Sequence, residues 1–386
     1  MWRLPMKTVV TRFKILYTQF LMKSGIPHKD MPEEYVTKTE RLLCMYRHMR
    51  MIRLFDAKSL SLQRQGRAGT NASTEGEEGY AVGYASAMTD HEAVIGATHI
   101  HVPHYRQNAA MLWFDKDKEA ALMRILLYWG GSELGNLAPE SHPDDHPMSV
   151  PIGTQVGLAQ GRAFALKVRK ERRAVVCICG DGATSTGDFN AGINFAGVLK
   201  VPLVVIVTNN QYAISVPRER QSAAQTFAQK GIAAGVHCEQ VDGNDVLAVH
   251  YAVYQALKRA VDESLPSVIE AITYRLGAHT TADDPTKYRD DTEVAAAREI
   301  DPLLRMRRFL DRLKIWDDEK EAVYCAWAEA RIEAAVKRYE DHVLRNPLTL
   351  AQVYEHQVAV PHYTLKRERE LALAYQKALV QVETKE

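Results

Sequence analysis

The chain is predicted to form an α/β fold built on a parallel sheet with helices on both faces. Residues 174–179 and 203–207 are short apolar runs with the length and β-branched content of buried strands. Phe189, Ile193 and Ala196 lie between these runs at helical spacing, which predicts a helix packed on the sheet. A strand, a helix and a second strand in this order are typical of a β–α–β unit with parallel strands.

Helical patterns precede this unit, and a third strand follows it. Residues 35–65 are predicted to form a helix that ends at Gly66, and a second helix is expected from Gly76 through Ala87. Residues 267–276 form a third apolar run. An amphipathic helix is predicted before this run, with one apolar face made of Val246, Val249, Val253 and Ala256.

The C-terminal third is predicted to be helical and charged beyond Asp301, with a polar helix over residues 366–382. One packed face is expected from Val323, Trp327, Ala330 and Ala334. We therefore expect an N-terminal arm (1–36), one sheet-containing domain (37–345) and a helical C-terminal tail (346–386).

Composition argues against several classes of function. The formal net charge of +1 over 386 residues gives no electrostatic reason to expect nucleic acid or a membrane surface as partner. No apolar run approaches the roughly 18 residues that a membrane-spanning helix needs. Of the five cysteines, Cys177 and Cys179 lie within a predicted strand, which favours reduced core residues over a disulfide framework.

Polar clusters follow the first two predicted strands. Gly180-Asp181-Gly182 ends one run, and Asn209-Asn210 ends the next. Ligands bind beyond the carboxyl ends of parallel strands. One carboxylate and one amide oxygen suit Mg²⁺ when phosphates complete its shell, and the glycines let backbone N–H groups approach those phosphates. The pattern predicts a magnesium diphosphate site, although each cluster alone would also serve as a plain turn.

The two clusters together resemble the thiamine diphosphate motif. The chain from about residue 13 to residue 341 resembles the alpha subunit of the thiamine-dependent decarboxylating component of 2-oxo acid dehydrogenase complexes. The segments that carry this resemblance, in chain order, are QRQGR, GEEG, YRQNAAML, SVPIGTQV, VDGND and YRLGAHTTADDPTKYR. The resemblance implies a thiamine diphosphate-binding fold and oxidative decarboxylation of a 2-oxo acid, with acyl transfer to a lipoyl group.

The motifs of that family also imply which residues of this chain form the site. The resemblance implies that Asp181, Asn210 and the Tyr212 carbonyl bind Mg²⁺, and that His279 is catalytic, managing protons near neutral pH. It implies cofactor contacts from Tyr105, Arg106, Val150, Ile152, Asp181, Gly182, Ala183, Asn210, Tyr212 and His279. In branched-chain relatives a K⁺ ion is held at the positions of Ser149, Thr154 and Gln155.

Partners and location are also implied by the resemblance. Only one sheet-forming block, about residues 137–276, is evident, too little for both halves of the cofactor site. We therefore expect a beta subunit in an α2β2 heterotetramer and a lipoyl acyltransferase core as partners. Residues 1–29 are basic and lack acidic residues, as in a transit peptide, but a retained arm is favoured. A cytoplasmic location is expected rather than the mitochondrial matrix.

Several alternatives stay open. The substrate is expected to be pyruvate, because Thr208 stands where some branched-chain relatives carry an Arg. Branched-chain 2-oxo acid and acetoin dehydrogenases share every motif, and Thr70-Asn71 replaces an aromatic pair of many relatives.

The histidines of residues 99–104 could be a local elaboration or could line the substrate channel, and a metal site there is disfavoured. Thr280 occupies a position that is phosphorylated in mitochondrial relatives. A non-catalytic paralogue is the alternative of another class.

Overall fold

A six-stranded parallel sheet forms the centre of the chain. The computed structural model describes residues 9–347, 349–354, 358 and 360–383. Its strands are β1 (Leu16–Thr18), β2 (Ile100–Val102), β3 (Val175–Gly180), β4 (Leu203–Asn209), β5 (Tyr212–Ala213), β6 (Val216–Pro217), β7 (His237–Asp242) and β8 (Ser267–Ile272). The sheet order is β1-β7-β8-β4-β3-β2 with every neighbouring pair parallel, and β5 and β6 form a separate antiparallel hairpin.

Helices cover both faces of this sheet. They are α1 (Glu34–Thr37), α2 (Thr39–Arg64), α3 (Glu78–Ile95), α4 (Asn108–Phe114), α5 (Lys118–Trp129), α6 (Thr154–Val168), α7 (Gly187–Leu199), α8 (Arg218–Gln221), α9 (Gln229–Ala233), α10 (Val246–Glu263), α11 (Asp291–Arg298), α12 (Pro302–Arg312), α13 (Asp318–Arg345) and α14 (Tyr363–Glu383). Among the described helices, none is long and apolar enough to cross a membrane.

Alternate residues of the strands face two separate cores, as the period of two in a strand requires. Val176 and Ile178 of β3 pack with α2, α3 and α10 in the larger core. Val175, Cys177 and Cys179 pack with α6 and α7 in the smaller one. Because both faces are buried, the central strands are almost wholly apolar. Both cysteines are buried and free, as predicted.

The predicted β–α–β unit and the helices around it are confirmed. The helix predicted over 35–65 is divided at Lys38 into α1 and α2, and the helix that begins near Gly76 continues to Ile95. The third strand ends at Ile272, earlier than predicted. Beyond Ile272 the Thr273 and Arg275 amides still donate to the Asn209 and Asn210 carbonyls at 2.9 and 3.3 Å, and the Leu276 amide then donates to the Glu75 carbonyl at 2.9 Å, outside the sheet.

The part of the chain that the structure describes has one parallel sheet, as predicted, but the bounds of about 137–276 predicted for it were wrong. β1 and β2 lie outside these bounds, and each has only three residues, too few to show a strand period. Strand β1 belongs to the predicted N-terminal arm, yet it pairs with β7 and forms one edge of the sheet. The boundaries predicted at residues 36 and 345 stay predictions, and residues 1–8 of the arm lie outside the described part of the chain.

The predicted packed face of the C-terminal region was also wrong, although α13 and α14 are helical as expected. Val323 is 67% exposed and Trp327 41% exposed, Ala330 is exposed, and Ala334 is partly buried. The residues of α13 that enter the core are Ala328, Ile332, Ala335, Val336 and Tyr339. Both sets have helical spacing, and only the position of α2 and α5 beside α13 decides which one is buried.

Candidate active site

The site lies where β3 and β4 end. Gly180, the last residue of β3, is paired with Thr208 of β4, so Asp181 and Asn210 leave adjacent strands at the same edge of the sheet. Asp181 begins a short 3-10 turn, after which the Thr186 side chain caps α7. Parallel strands bring their carboxyl ends together, so the predicted neighbours meet.

A cavity of about 220 Å³ opens at this edge. Of the ten predicted site residues, nine line it: Tyr105, Arg106, Ile152, Asp181, Gly182, Ala183, Asn210, Tyr212 and His279. Val150 lies outside the lining, with its side chain 48% exposed. Gly180 and Gly182 give the wall two positions without side chains.

Asp181 is a buried acceptor in this wall. Its Oδ1 accepts the Gly182 amide at 2.9 Å, and its Oδ2 accepts Gln221 Nε2 at 2.9 Å. Burial raises the pKa of Asp181, and the hydrogen bonds from Gln221 and Gly182 oppose that rise. A divalent cation would favour the ionised form further, because an opposite charge stabilises a carboxylate.

Asn210 presents its amide oxygen to the site because its nitrogen is engaged elsewhere. Asn210 Nδ2 donates to Glu77 Oε1 at 3.0 Å, and the Tyr212 amide donates to Asn210 Oδ1 at 3.2 Å. The Tyr212 carbonyl, predicted to bind Mg²⁺, accepts Arg275 Nη1 at 3.2 Å. Asp181, Asn210 and Tyr212 line one cavity and carry a carboxylate, an amide and a carbonyl oxygen, which are the types of ligand that hard cations take.

Two buried guanidinium groups give the cavity a positive wall. Arg106 is 1% exposed and donates to the Ser73 carbonyl at 2.6 Å and to the His279 carbonyl at 2.9 Å. Arg275 is equally buried, and its Nε has no hydrogen-bond partner among the described residues. Glu77, 3.3 Å from Arg106 Nε, supplies one opposing charge. Two such cations suit a multiply charged anion.

His279 is held as a neutral ring. Arg106 Nη2 and Arg275 Nη1 lie 3.3 and 3.4 Å from its Nδ1, and since guanidinium groups only donate, Nδ1 accepts and the proton belongs on Nε2. Burial, together with Arg106 and Arg275, lowers the pKa of His279 to about 4. The backbone amide of His279 donates to Asp283, which fixes the loop.

Of the three histidines in residues 99–104, two lie at strand β2 and one lines the cavity. His99 and His101 are buried beside or within β2, where the His101 amide donates to Asp145. His104 lines the cavity. No cluster of three or more His, Cys, Asp or Glu side chains that could hold a metal ion occurs among the described residues.

Ser149, Thr154 and Gln155, predicted from the resemblance to hold K⁺, lie together. Ser149 Oγ is 3.1 Å from Thr154 Oγ1, and Gln155 Nε2 donates to the Ser149 carbonyl at 2.7 Å.

Comparisons with known proteins identify the family of the chain. The family model described as "Dehydrogenase E1 component" matches residues 46–347. The pyruvate dehydrogenase E1 component subunit alpha of Staphylococcus aureus (strain Mu50) is 36% identical over 365 residues, covering 93% of this chain and 95% of the relative. The protein of the same name from Staphylococcus epidermidis (strain ATCC 12228) is 35% identical with the same coverage. The chain belongs to the dehydrogenase E1 component family.

This E1 component chain is thus an alpha-type subunit of a 2-oxo acid dehydrogenase enzyme, and the family implies thiamine diphosphate as cofactor. The residues of the cavity fit the diphosphate of that cofactor. Asp181 and Asn210 offer oxygens to a cation, Arg106 and Arg275 offer donors to phosphate oxygens, and glycines leave the wall open.

The sequence reasoning missed Arg275, which lines the E1 cavity, and two residues that hydrogen-bond to lining residues, Glu77 to Asn210 and Gln221 to Asp181. Arg275 lies within the quoted motif YRLGAHTTADDPTKYR and Glu77 within GEEG, but neither was given a role. Gln221, the partner of Asp181, lies outside every motif. The Tyr-Arg pair at the end of the third strand, which repeats the Tyr105-Arg106 pair, was a signal for Arg275.

Proposed function

We propose that this chain is the alpha subunit of a pyruvate dehydrogenase E1 component, which decarboxylates pyruvate and transfers the acetyl group to a lipoyl arm. The observation that carries the proposal is the convergence of Asp181, Asn210, Arg106 and His279 on one cavity in a member of this family. The choice of pyruvate is supported by the names of the Staphylococcus relatives. A branched-chain 2-oxo acid or acetoin remains the alternative substrate.

The cofactor would be held at its diphosphate end. Asp181, Asn210 and the Tyr212 carbonyl supply oxygens for Mg²⁺, and Arg106 and Arg275 neutralise the phosphate charge without solvent competition. When bound, thiamine diphosphate supplies the carbanion that attacks the 2-oxo carbon. Ser149 and Thr154 supply hydroxyl oxygens for K⁺, which would fix the loop before α6.

His279 would act as a hydrogen-bond donor toward the reacting atoms. Its Nδ1 accepts from two guanidinium groups, so its Nε2–H is the group that can donate to substrate or lipoyl atoms. A neutral imidazole keeps this proton near pH 7, because losing it would leave an imidazolate, and the Nε2–H group therefore stabilises negative charge that develops on a nearby atom without being transferred. His279 is thus proposed as the hydrogen-bond donor of this chain at the reacting atoms.

A beta subunit is proposed to complete the site. Ile152 and Ile214 line the cavity, yet they are 51% and 56% exposed. Leu158 on α6 and Val216 on β6 are 43% and 42% exposed, and we call these four residues the mouth patch. Exposed apolar side chains beside a binding site are typical of a protein interface. An α2β2 assembly on a lipoyl acyltransferase core, located in the cytoplasm, is the arrangement proposed.

The test is reconstitution with a beta subunit of a pyruvate dehydrogenase E1 component. In the presence of thiamine diphosphate and Mg²⁺, the pair is expected to turn over pyruvate faster than it decarboxylates 3-methyl-2-oxobutanoate or cleaves acetoin, and to acetylate a lipoyl domain. The chain alone is expected to be inactive. A preference for either other substrate would overturn the choice of pyruvate, and full turnover without a beta subunit would overturn the assembly.

A further inference from the structure

Asp56 is a buried carboxylate in the middle of α2, away from the cavity lining. It is 4% exposed and accepts four hydrogen bonds from three residues of one extended stretch. Thr74 donates through both its amide and its hydroxyl at 2.7 Å, Ser73 through its hydroxyl at 3.1 Å, and Asn71 through its side-chain amide at 3.2 Å. A charge in a helix interior is costly unless it is fully hydrogen-bonded, so this cluster is a specific arrangement.

The stretch that Asp56 holds, residues 70–76, is here called the brace segment. Its carbonyl groups receive donors from three elements of the site. Arg106 donates to the Ser73 carbonyl at 2.6 Å, the Thr281 amide donates to the Asn71 carbonyl at 2.9 Å, and the Leu276 amide donates to the Glu75 carbonyl at 2.9 Å. The brace segment therefore contacts the guanidinium of one cavity wall and both ends of the loop that carries His279.

We propose that Asp56 is a positioning residue of the active site, which fixes the brace segment and through it the Arg106 guanidinium and the His279 loop. The proposal rests on the function given above, because that function assigns to Arg106 the diphosphate and to His279 a hydrogen bond to the reacting atoms. Asp56 acts only through its neighbours and does not line the cavity. A shift of the brace segment would move two cavity groups that lie 173 residues apart in the chain.

The chemistry of the four donor groups determines which variant of Asp56 tests the proposal. All four groups donate to Asp56, and a carboxylate accepts without donating. In Asp56→Asn the shape is kept, but one oxygen becomes an NH₂ group that faces donors. Burial raises the pKa of Asp56, and the hydrogen bonds from Thr74, Ser73 and Asn71 oppose that rise. Thr74→Val is the milder variant, since it removes one hydroxyl donor and keeps the volume.

Asp245→Asn is the matched control. Asp245 is also fully buried and accepts four donors, the amides of Phe20, Leu21, Leu247 and Ala248, but none belongs to the brace segment. Weakening these four hydrogen bonds is expected to lower the melting temperature of the chain without altering the site.

The experiment compares the three variants in the assembled enzyme with its beta subunit. Asp56→Asn is expected to weaken Mg²⁺-dependent thiamine diphosphate binding by roughly 10- to 100-fold, as loss of supporting hydrogen bonds does at metal sites. It is also expected to speed hydrogen exchange of the Thr281 and Leu276 amides before cofactor is added. Thr74→Val is expected to change both quantities in the same direction by less, and Asp245→Asn to change neither.

The proposal is overturned if Asp56→Asn keeps wild-type binding and exchange, or if Asp245→Asn produces the same changes. If Asp56→Asn does not fold, Thr74→Val decides between the two results. Exchange is measured without cofactor, so it tests the brace segment even if the wild-type enzyme binds no thiamine diphosphate. Failure of wild-type binding would instead refute the proposed function.

Discussion

The carboxylate of Glu77 and the side-chain amide of Asn210 are joined in the interior by a hydrogen bond of 3.0 Å from Asn210 Nδ2 to Glu77 Oε1. The same oxygen lies 3.3 Å from Arg106 Nε. One buried atom therefore supports both the proposed metal ligand and the proposed phosphate ligand. Because a carboxylate only accepts, it requires Asn210 to turn its nitrogen inward, which leaves the oxygen for a cation.

Glu77→Leu is expected to weaken Mg²⁺ binding, measured as the Mg²⁺ concentration that half-saturates thiamine diphosphate binding, by roughly 10- to 100-fold. Loss of the acceptor frees the Asn210 amide to turn over. Glu77→Gln keeps an acceptor oxygen and is the control, which should stay within a few-fold of wild type. Equal losses in both variants would show that the charge of Glu77 matters and the orientation of Asn210 does not.

Asp181→Ala is expected to abolish the thermal stabilisation that thiamine diphosphate and Mg²⁺ give the assembled enzyme. At a ligand concentration 100 times Kd, binding stabilises the wild-type native state by about 2.7 kcal/mol, and without the carboxylate this gain should vanish. Asp188→Asn, an exposed acid in the first turn of α7, serves as control and should keep the full gain. A ligand-induced melting shift that survives in Asp181→Ala would remove this residue from the metal site.

Asp145 is expected to make the chain less stable above neutral pH. Burial raises the pKa of Asp145 to about 7, from an unfolded value near 3.9. The native state therefore binds more protons between these values, and the stability from the protonated acid is lost as the pH rises through 7. Asp145→Asn should be more stable than wild type at pH 8, by on the order of 2 kcal/mol, and nearly equal to it at pH 4.

Denaturant unfolding of the two proteins across this pH range is the measurement. Asp144→Asn is the control, because Asp144 is the neighbouring acid with a side chain 49% exposed. A pH-independent difference between wild type and Asp145→Asn would contradict the raised pKa.

His279→Gln is expected to lower kcat by roughly 10²- to 10³-fold, the range for loss of one hydrogen-bond donor to charge that develops in the transition state. Cofactor affinity should change far less, since the diphosphate is assigned to Arg106 and Arg275. The pKa of about 4 lies below the unfolded value near 6.5, so stability from the neutral ring is lost as pH falls from 6.5 to 4. Wild type should lose stability relative to the variant over that window, and a constant difference would argue for a normal pKa.

Much of the fold and of the site was predictable from local patterns in the sequence. The strands that end at Gly180 and Asn209 have apolar runs closed by turn residues, so the meeting of Asp181 and Asn210 was predictable. The role of Glu77 was not, because its partner Asn210 is 133 residues away in the chain. β1 and β2 are stabilised by pairing with longer strands rather than by their own pattern. The buried face of α13 depends on its neighbours.

The mouth patch gives the last prediction, which concerns the beta subunit. Leu158 is 43% exposed on α6, next to Gly157 and near Gly161, where an added side chain would meet no atom within 4 Å. A charge placed there costs the free chain little, because solvent already reaches the position. Buried in an interface, the same charge would lose its hydration without a partner and disfavour association.

Leu158→Asp is therefore expected to leave the circular dichroism and melting temperature of the isolated chain unchanged but to prevent co-purification with the beta subunit. Val323→Asp is the matched control, since Val323 is 67% exposed on α13 outside the mouth patch. It should assemble and turn over pyruvate as wild type does. Size-exclusion chromatography with light scattering measures the assembly. If Leu158→Asp forms a complete α2β2 enzyme, the beta subunit covers a different surface and the interface assigned to the mouth patch is wrong.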